Sequence, residues 1–371
     1  MRRRFICIAA AALMLTACAD SSSSGAEGGT ADLSGGSPRA AYNGAEELMG
    51  KSYPGFEMPA SFETPEINEV YEITYNKIPR EYEKEQAAEL FKRFIGEDYD
   101  KRFFHRDDAF SSFYYNGEDA NANCSCGSGV INMGMIFDVP AGRRRTGHYN
   151  VGTEPDTAIT VGSLDTSVSQ AAGFMDNELN TLLDGFLAPF EIRSQVIEVY
   201  SDGAVFANCA LTLDGIPLQS WKSAYNRVVE GQGVEYFDCF TNGAEIVDLD
   251  RLRYLFVTDC PTVIEKKKLD QMISLKRAVG ILQSELDVTD SYEFSDVRLM
   301  YCGLVVNPRS GSVITDAELD SQQQEVFRAE SRTLTPTWCF FLKFDEEDNT
   351  DRCIKVNAVT GEVIYDIAAG A

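Results

Sequence analysis

Residues 166–213 read TSVSQAAGFMDNELNTLLDGFLAPFEIRSQVIEVYSDGAVFANCALTL. In the first part, Val168, Ala171, Ala172, Met175, Leu179, Leu182, Leu183 and Phe186 recur at three- and four-residue spacing. That period predicts a helix over 166–186 with one apolar stripe. The second part changes period. Residues 191–200 and 203–213 read as two strands of a hairpin around Ser201-Asp202-Gly203. A one-sided helix needs a sheet face to cover, and hairpins make antiparallel sheets. The class expected is therefore α+β.

The same order recurs on both sides of this stretch. A helix is predicted over 80–95, where Ala87, Leu90, Phe91, Phe94 and Ile95 form a stripe that Gly96 ends. Another is predicted over 265–286 on Leu269, Met272, Leu275, Ala278, Val279, Leu282 and Leu286, with a kink near Ser274. Extended runs follow at 235–240 and 244–247, flanking Thr241-Asn242-Gly243, and at 253–258. After the third helix come strands over 292–306, 337–344, 352–357 and 362–366. Two units result, each a helix packed on an antiparallel sheet. They cover an N-terminal α+β region at 46–261 and a C-terminal α+β domain at 262–371.

The chain begins Met1-Arg2-Arg3-Arg4, and an apolar run from Phe5 to Leu15 follows. That run is far short of the roughly 20 residues a membrane-spanning helix needs. It fits the apolar core of an export signal. The signal closes on Leu15-Thr16-Ala17-Cys18, which resembles the lipobox of bacterial lipoproteins. The resemblance implies a signal peptide over 1–17, cleavage after Ala17 and diacylglycerol on Cys18. Two acyl chains hold a protein stably where one does so marginally. Residues 18–45 then read as a lipidated cysteine and a disordered tether. Ser and Gly dominate DSSSSGAEGGTADLSGGSPR at 20–39, and such a composition buries too little to offset its ordering entropy. About 20 such residues reach roughly 25 Å. The expected location is the extracytoplasmic face of a cell membrane, held by lipid.

The formal net charge is −25, and removing Arg2, Arg3 and Arg4 with the signal lowers it to −28. A surface this acidic repels nucleic acid and anionic headgroups. The runs Arg143-Arg144-Arg145 and Lys266-Lys267-Lys268 are local exceptions and read as solvated loop or helix ends. Eight cysteines remain after Cys7 and Cys18: Cys124, Cys126, Cys209, Cys239, Cys260, Cys302, Cys339 and Cys353. An exported chain with an even number invites disulfides. Several of these cysteines lie in apolar strand patterns, however, where a thiol serves as a small buried hydrophobe. Cys124-Ser125-Cys126 reads as part of a Gly/Ser/Asn-rich loop. A zinc site there would need further ligands, and only His105 and His148 supply imidazole.

No nucleophile elbow, zincin helix, phosphate loop or dinucleotide fingerprint occurs in the chain. Neither histidine has a nucleophile context. The acidic run Asp345-Glu346-Glu347-Asp348-Asn349 lacks the spaced ligands and central glycine of a calcium loop and reads as a solvated turn. The expectation is a non-enzyme with no cofactor, no metal and no catalytic residue. Cys18 is the one residue whose chemistry is assigned.

Val356-Asn357-Ala358-Val359-Thr360-Gly361-Glu362-Val363-Ile364 resembles the closing strand–turn–strand of PepSY-like modules of bacterial extracytoplasmic proteins. Pro336-Thr337-Trp338-Cys339-Phe340-Phe341-Leu342 is similar to their aromatic-rich strand. The resemblance covers residues 262–366. The whole chain further resembles uncharacterised lipoproteins of Gram-positive anaerobes, and more distantly the YycH/YycI-type extracytoplasmic regulators. Those regulators are held by a transmembrane helix, and this chain has a lipobox instead. The resemblance implies an inhibitory, sensory or scaffolding role without an active site. The expected partner is an envelope protein or peptide. The alternatives are a solute-binding lipoprotein of a transporter and a cell-envelope hydrolase.

Overall fold

The computed structural model describes residues 36–76, 82–96, 103–107, 111–116, 121–127, 130–136, 142–152, 156–218, 226–229, 233–236, 242–249, 252–258, 260–289, 291–303, 331–343 and 353–366. All of them belong to one compact unit. The signal segment, Cys18, Cys239 and the acidic run 345–349 lie outside the described residues, as does the side chain of His105.

Two short 3-10 turns, Pro38–Ala40 and Ala45–Glu47, open the chain. Strands β1 (Ser52–Tyr53), β2 (Phe56–Glu57) and β3 (Tyr71–Asn76) precede helix α1 (Lys84–Ile95). Then come β4 (Phe103–Asp107), β5 (Ser111–Asn116), β6 (Asn121–Gly127), β7 (Val130–Ile136) and β8 (Arg145–Asn150). The hairpin β9 (Ala158–Val161) and β10 (Leu164–Ser167) leads into α2 (Val168–Leu182). Next are β11 (Glu191–Tyr200), β12 (Val205–Leu213), β13 (Ile216–Pro217), β14 (Asn226–Val229), β15 (Gly233–Tyr236), β16 (Asn242–Ile246), β17 (Leu252–Val257) and β18 (Thr262–Lys268). Helix α3 (Leu275–Glu285) is followed by β19 (Tyr292–Gly303), β20 (Ser331–Leu342), β21 (Cys353–Asn357) and β22 (Val363–Asp366). The class is mixed α and β, dominated by sheet.

Two large sheets account for most strands. In the ten-stranded sheet the order is β4-β5-β6-β7-β17-β16-β12-β11-β8, with β13 added to the end of β12. In the eight-stranded sheet the path is β1-β2-β19-β20-β21-β22, with β3 pairing both β20 and β18. Every strand pair is antiparallel except the short β2–β19 contact. One continuous core, from Ala41 to Ala358, spans both sheets.

The quoted stretch folds as its periods demand. Ser167 caps α2 by accepting the Gln170 amide, and β11 pairs with β12 from Glu191↔Thr212 to Val199↔Val205. Asn180 ties the helix to the sheet. Its Nδ2 donates to the carbonyls of Asp176 (2.8 Å) and Ile192 (2.9 Å), and the Ile192 amide donates back to its Oδ1 (2.9 Å). One turn earlier, Asp176 accepts from the Ser194 amide and hydroxyl, both at 2.7 Å.

Three local expectations are corrected. Residues 262–268 form β18, and the third helix starts at Leu275 with Ser274 as its N-cap. Lysines favour helix, but pairing with β3 decides the matter. Lys267 binds Glu72 (3.2 Å), Lys268 binds Glu69, and the Lys266 ammonium sits 4.1 Å from the Tyr71 ring centroid. Asn242 and Gly243 do not turn a hairpin either: they lie within β16, which pairs with β12 and β17, while β15 pairs with β14, and Thr241 lies outside the described residues. Lastly, residues 36–45, assigned to the tether by composition, pack on the body. Gly36 and Met272 exchange two 2.9 Å backbone bonds, the Leu275 amide donates to Ala41, and Pro38, Ala41 and Ala45 are buried.

The Asn180 clamp gives a test. Asn180→Ala leaves the buried Ile192 amide without its acceptor, so it should cost about 1–3 kcal/mol in urea unfolding.

Candidate functional site: the outer face of the ten-stranded sheet

Alternation along the strands gives this sheet two different faces. The inner face carries the cross-strand row Ile197, Ala207, Ala244, Leu255, Met133, Cys124 and Phe113, all buried. Helix α1 sets Phe91 against Phe113 there, and α2 binds Ile192 and Ser194.

The outer face carries the intervening residues. One row runs His148, Glu198, Phe206, Glu245, Tyr254, Gly134, Asn123 and Tyr114. The next runs Asn208, Gly243, Phe256, Asn132 and Ser125. Phe206, Tyr254 and Phe256 are half-buried, and Asn123 and Ser125 are exposed.

At one side of the rings lies a charged network. Arg143 Nη2 donates to Glu245 (2.7 Å), and Asp202 lies 3.5 Å from its Nε. The Arg143 guanidinium also covers the Tyr200 ring at 4.1 Å. Arg253 approaches the other Glu245 oxygen at 3.9 Å. Glu198 accepts from Arg145 (3.1 Å) and from the Tyr200 hydroxyl (2.9 Å), and His148 Nδ1 stands 3.5 Å away. The expectation of a solvated loop for Arg143-Arg144-Arg145 is therefore corrected. Only Arg144 and Arg145 are exposed, and the Arg143 side chain keeps 12% of its accessible surface. The signal available in the sequence was spacing: Arg143 and Arg145 stand two apart at the mouth of a strand.

Electrostatics follow from burial. Burial, with the Glu198 hydrogen bond, pushes the Tyr200 phenol up to about 12. Burial draws Arg253 below its ordinary value, and nearby Arg143 acts the same way while Glu245 opposes it.

The thiols are structural. Cys124 and Cys126 lie on β6, not in a loop, with sulfurs 3.3 Å apart and both residues buried. The hydrogen bond with Cys126, then burial, raises the Cys124 thiol well above its usual range, which disfavours the thiolate. Cys302 and Cys339 face each other at 3.6 Å on β19 and β20. All seven described cysteines outside the signal are free, and no metal-holding cluster occurs among the described residues. His105 lies on β4 opposite Phe113, far along the sheet order from His148 on β8, so the structure does not bring the two histidines together. At the junction of the two sheets, Arg298 on β19 donates to Gln195 on β11 (2.6 Å) beside a cavity of about 70 Å³. That volume is well below the 300–1,000 Å³ of ordinary ligand pockets. No helix of the described residues is long and apolar enough to cross a membrane.

Two outcomes follow. Glu245→Ala removes the buried carboxylate that Arg143 and Arg253 share, with Asp202 still beside Arg143, and should cost about 1–3 kcal/mol, while Arg193→Ala, in an exposed pair with Glu191, should stay within about 0.5 kcal/mol. Urea melts read both. The folded state also holds the Tyr200 proton where the unfolded chain loses it. Stability is therefore full below pH 10 and falls as pH rises towards about 12. Melts at pH 9 and 11.5 should show a smaller fall in Tyr200→Phe, with a remainder from Tyr71, which Glu69 also raises to about 12, and from Tyr42 and Tyr301, which burial raises further.

No family model and no curated protein matches the chain. It is similar to a solved structure, that of an uncharacterized protein from Eubacterium rectale, at 11% identity and a TM-score of 0.45, over 84% of this chain and 91% of that one.

Proposed function

We propose that this is a lipid-anchored extracytoplasmic protein of binding or regulatory type, whose partner is an envelope protein or peptide. The observation that carries the reading is β8. It ends the ten-stranded sheet, no strand pairs with its outer side among the described residues, and Arg145, Thr146 and His148 on it are exposed. An extended segment can add to such an edge through backbone bonds, with side chains setting specificity. By contrast, β18, which pairs only with β3 in the eight-stranded sheet, is studded with paired lysines that discourage addition.

Other features support parts of the reading. Antiparallel pairing fits it better than a transporter's solute-binding lobes, which are built on parallel strands. In the finer architecture, α2 with the ten-stranded sheet and α3 with the eight-stranded sheet act as two helix-on-sheet units. The PepSY-like reading of the second unit is supported by its closing turn. There, Asn357 Oδ1 accepts the amides of Val359 (2.9 Å) and Thr360 (3.1 Å), and Gly361 takes φ +79° against Ile273 and Ile281 of the α3 region. The anchor rests on the lipobox at Cys18.

Two experiments check the reading. Cys18→Ser should move the protein from the detergent phase to the aqueous phase of intact-cell extracts; retention in the detergent phase would refute the anchor. A photo-crosslinking residue at Thr146 should yield one discrete envelope adduct on living cells. The same residue at Leu164, which is 50% exposed on β10, should yield none. Equal labelling at both positions, or none at either, would sink the edge-binding reading.

A further inference from the structure

Beyond the β8 edge, we infer that the outer face of the ten-stranded sheet is a platform for a neutral oligosaccharide, laid across the rings of Phe206, Phe256 and Tyr254. The case starts from two glycines. A Cβ on Gly243 would stand 2.5 Å from Phe206 Cζ and 2.7 Å from Phe256 Cε1. A Cβ on Gly134 would stand 2.9 Å from Tyr254 Cδ2. Each ring thus leans over a backbone stripped of its side chain and lies down on the sheet. Phe206 and Phe256 are within 19° of parallel, with centroids 6.1 Å apart, and Tyr254 follows at 6.0 Å from Phe256, tilted 43° to it so that it forms a raised end to the floor. The result is a short tiled floor whose step is comparable with the advance from one sugar ring to the next.

Polar groups of the right kind border the floor. Asn132, Asn123 and Ser125 stand on the same face on one side, and Asn208 stands next to Gly243 on the other. Amides and hydroxyls both donate and accept, as a sugar's hydroxyls require. Aromatic rings supply a flat apolar surface for the C–H face of a pyranose at low entropic cost.

Charge selects among ligands that stack. The ions beside the rings are satisfied within the face, Arg143 by Glu245 and Arg145 by Glu198. Glu245 stands between Phe206 and Tyr254 in the same row, but its carboxylate is nearly buried and taken up by Arg143, so the charge within the floor is paired. Nucleobases also stack on such rings, but their phosphates meet a chain of net charge −25. A neutral glycan meets neither obstacle. A protein partner would need about 800 Å² of complementary surface on this side, and three rings offer only a fraction of that.

The test uses the full mature chain with Cys18→Ser, titrated calorimetrically with cellotetraose, xylotetraose and chitotetraose. At least one should bind, and Phe256→Ala should weaken it about tenfold. Because losing a half-buried ring can loosen the sheet, Ser125→Arg is the companion variant. It alters an exposed position and should abolish binding with the thermal midpoint unchanged. No binding by any of the three sugars overturns the inference, as does binding that both variants leave intact. Preferential binding of a thymidine tetranucleotide overturns it too. None of these outcomes bears on the Thr146 crosslink, so the edge reading and the face reading fail separately.

Discussion

The pairing of β20 organises the whole body. From Leu334 to Leu342 it pairs with β19, Gly303↔Leu334 to Phe294↔Leu342. Its other side is shared: residues 331–334 pair with β3, and residues 337–341 pair with β21. A strand from near residue 71 and one from near residue 353 therefore meet on one backbone. Trp338, at the centre of β20 and fully buried, donates its indole N–H to the Ile273 carbonyl at 2.8 Å. That bond sets the entry of α3. Tyr42 meets the same indole edge-on at 5.0 Å, and its hydroxyl accepts the Leu299 amide. Losing the Trp338 side chain would free the N-terminal segment, the helix entry and the sheet at once, because all three are fixed to it.

What the sequence disclosed, and what it hid, follows from the range of the forces involved. Helix α2, the β11–β12 hairpin and the last four strands were legible because their determinants are local: an apolar period, a cap, a glycine turn. Thr262–Lys268 was not, since Lys266, Lys267 and Lys268 are sound helix formers and their strand partner lies nearly 200 residues away at Tyr71–Asn76. Gly243 misled for a related reason. Asn-Gly signals a turn when read alone, but in the fold that glycine is needed inside a strand, so that Phe206 and Phe256 can close over it. Strand β6 alternates Asn121, Asn123, Ser125 and Gly127 with its buried residues, which made Cys124-Ser125-Cys126 read as part of a loop.

The site was less legible still. Glu198, Tyr200, Glu245 and Arg253 come from three strands and meet Arg143 and Arg145 only once the register is set. Composition showed only an excess of acid. The network's cost of desolvation is offset by its mutual geometry, which exists only in one register. A one-residue slip of β16 would put Ala244 outside and Glu245 against the inner face, leaving its charge without Arg143. The ion pairs therefore make the wrong pairing costly.

The same register is what gives the two faces different work. Inward, the sheet offers mainly apolar groups and free thiols, with a few buried polar side chains such as Ser194, which Asp176 of α2 binds. Outward, it offers half-buried rings, amides and paired ions. Cys124 suits such a buried face because its raised thiol remains neutral. An open face that keeps three aromatic rings and two glycines has no such structural need: valine and threonine at those positions would pair across strands as well, with less apolar surface left to water. The retention of flat rings over bare backbone is best understood as a surface shaped for a ligand to lie on.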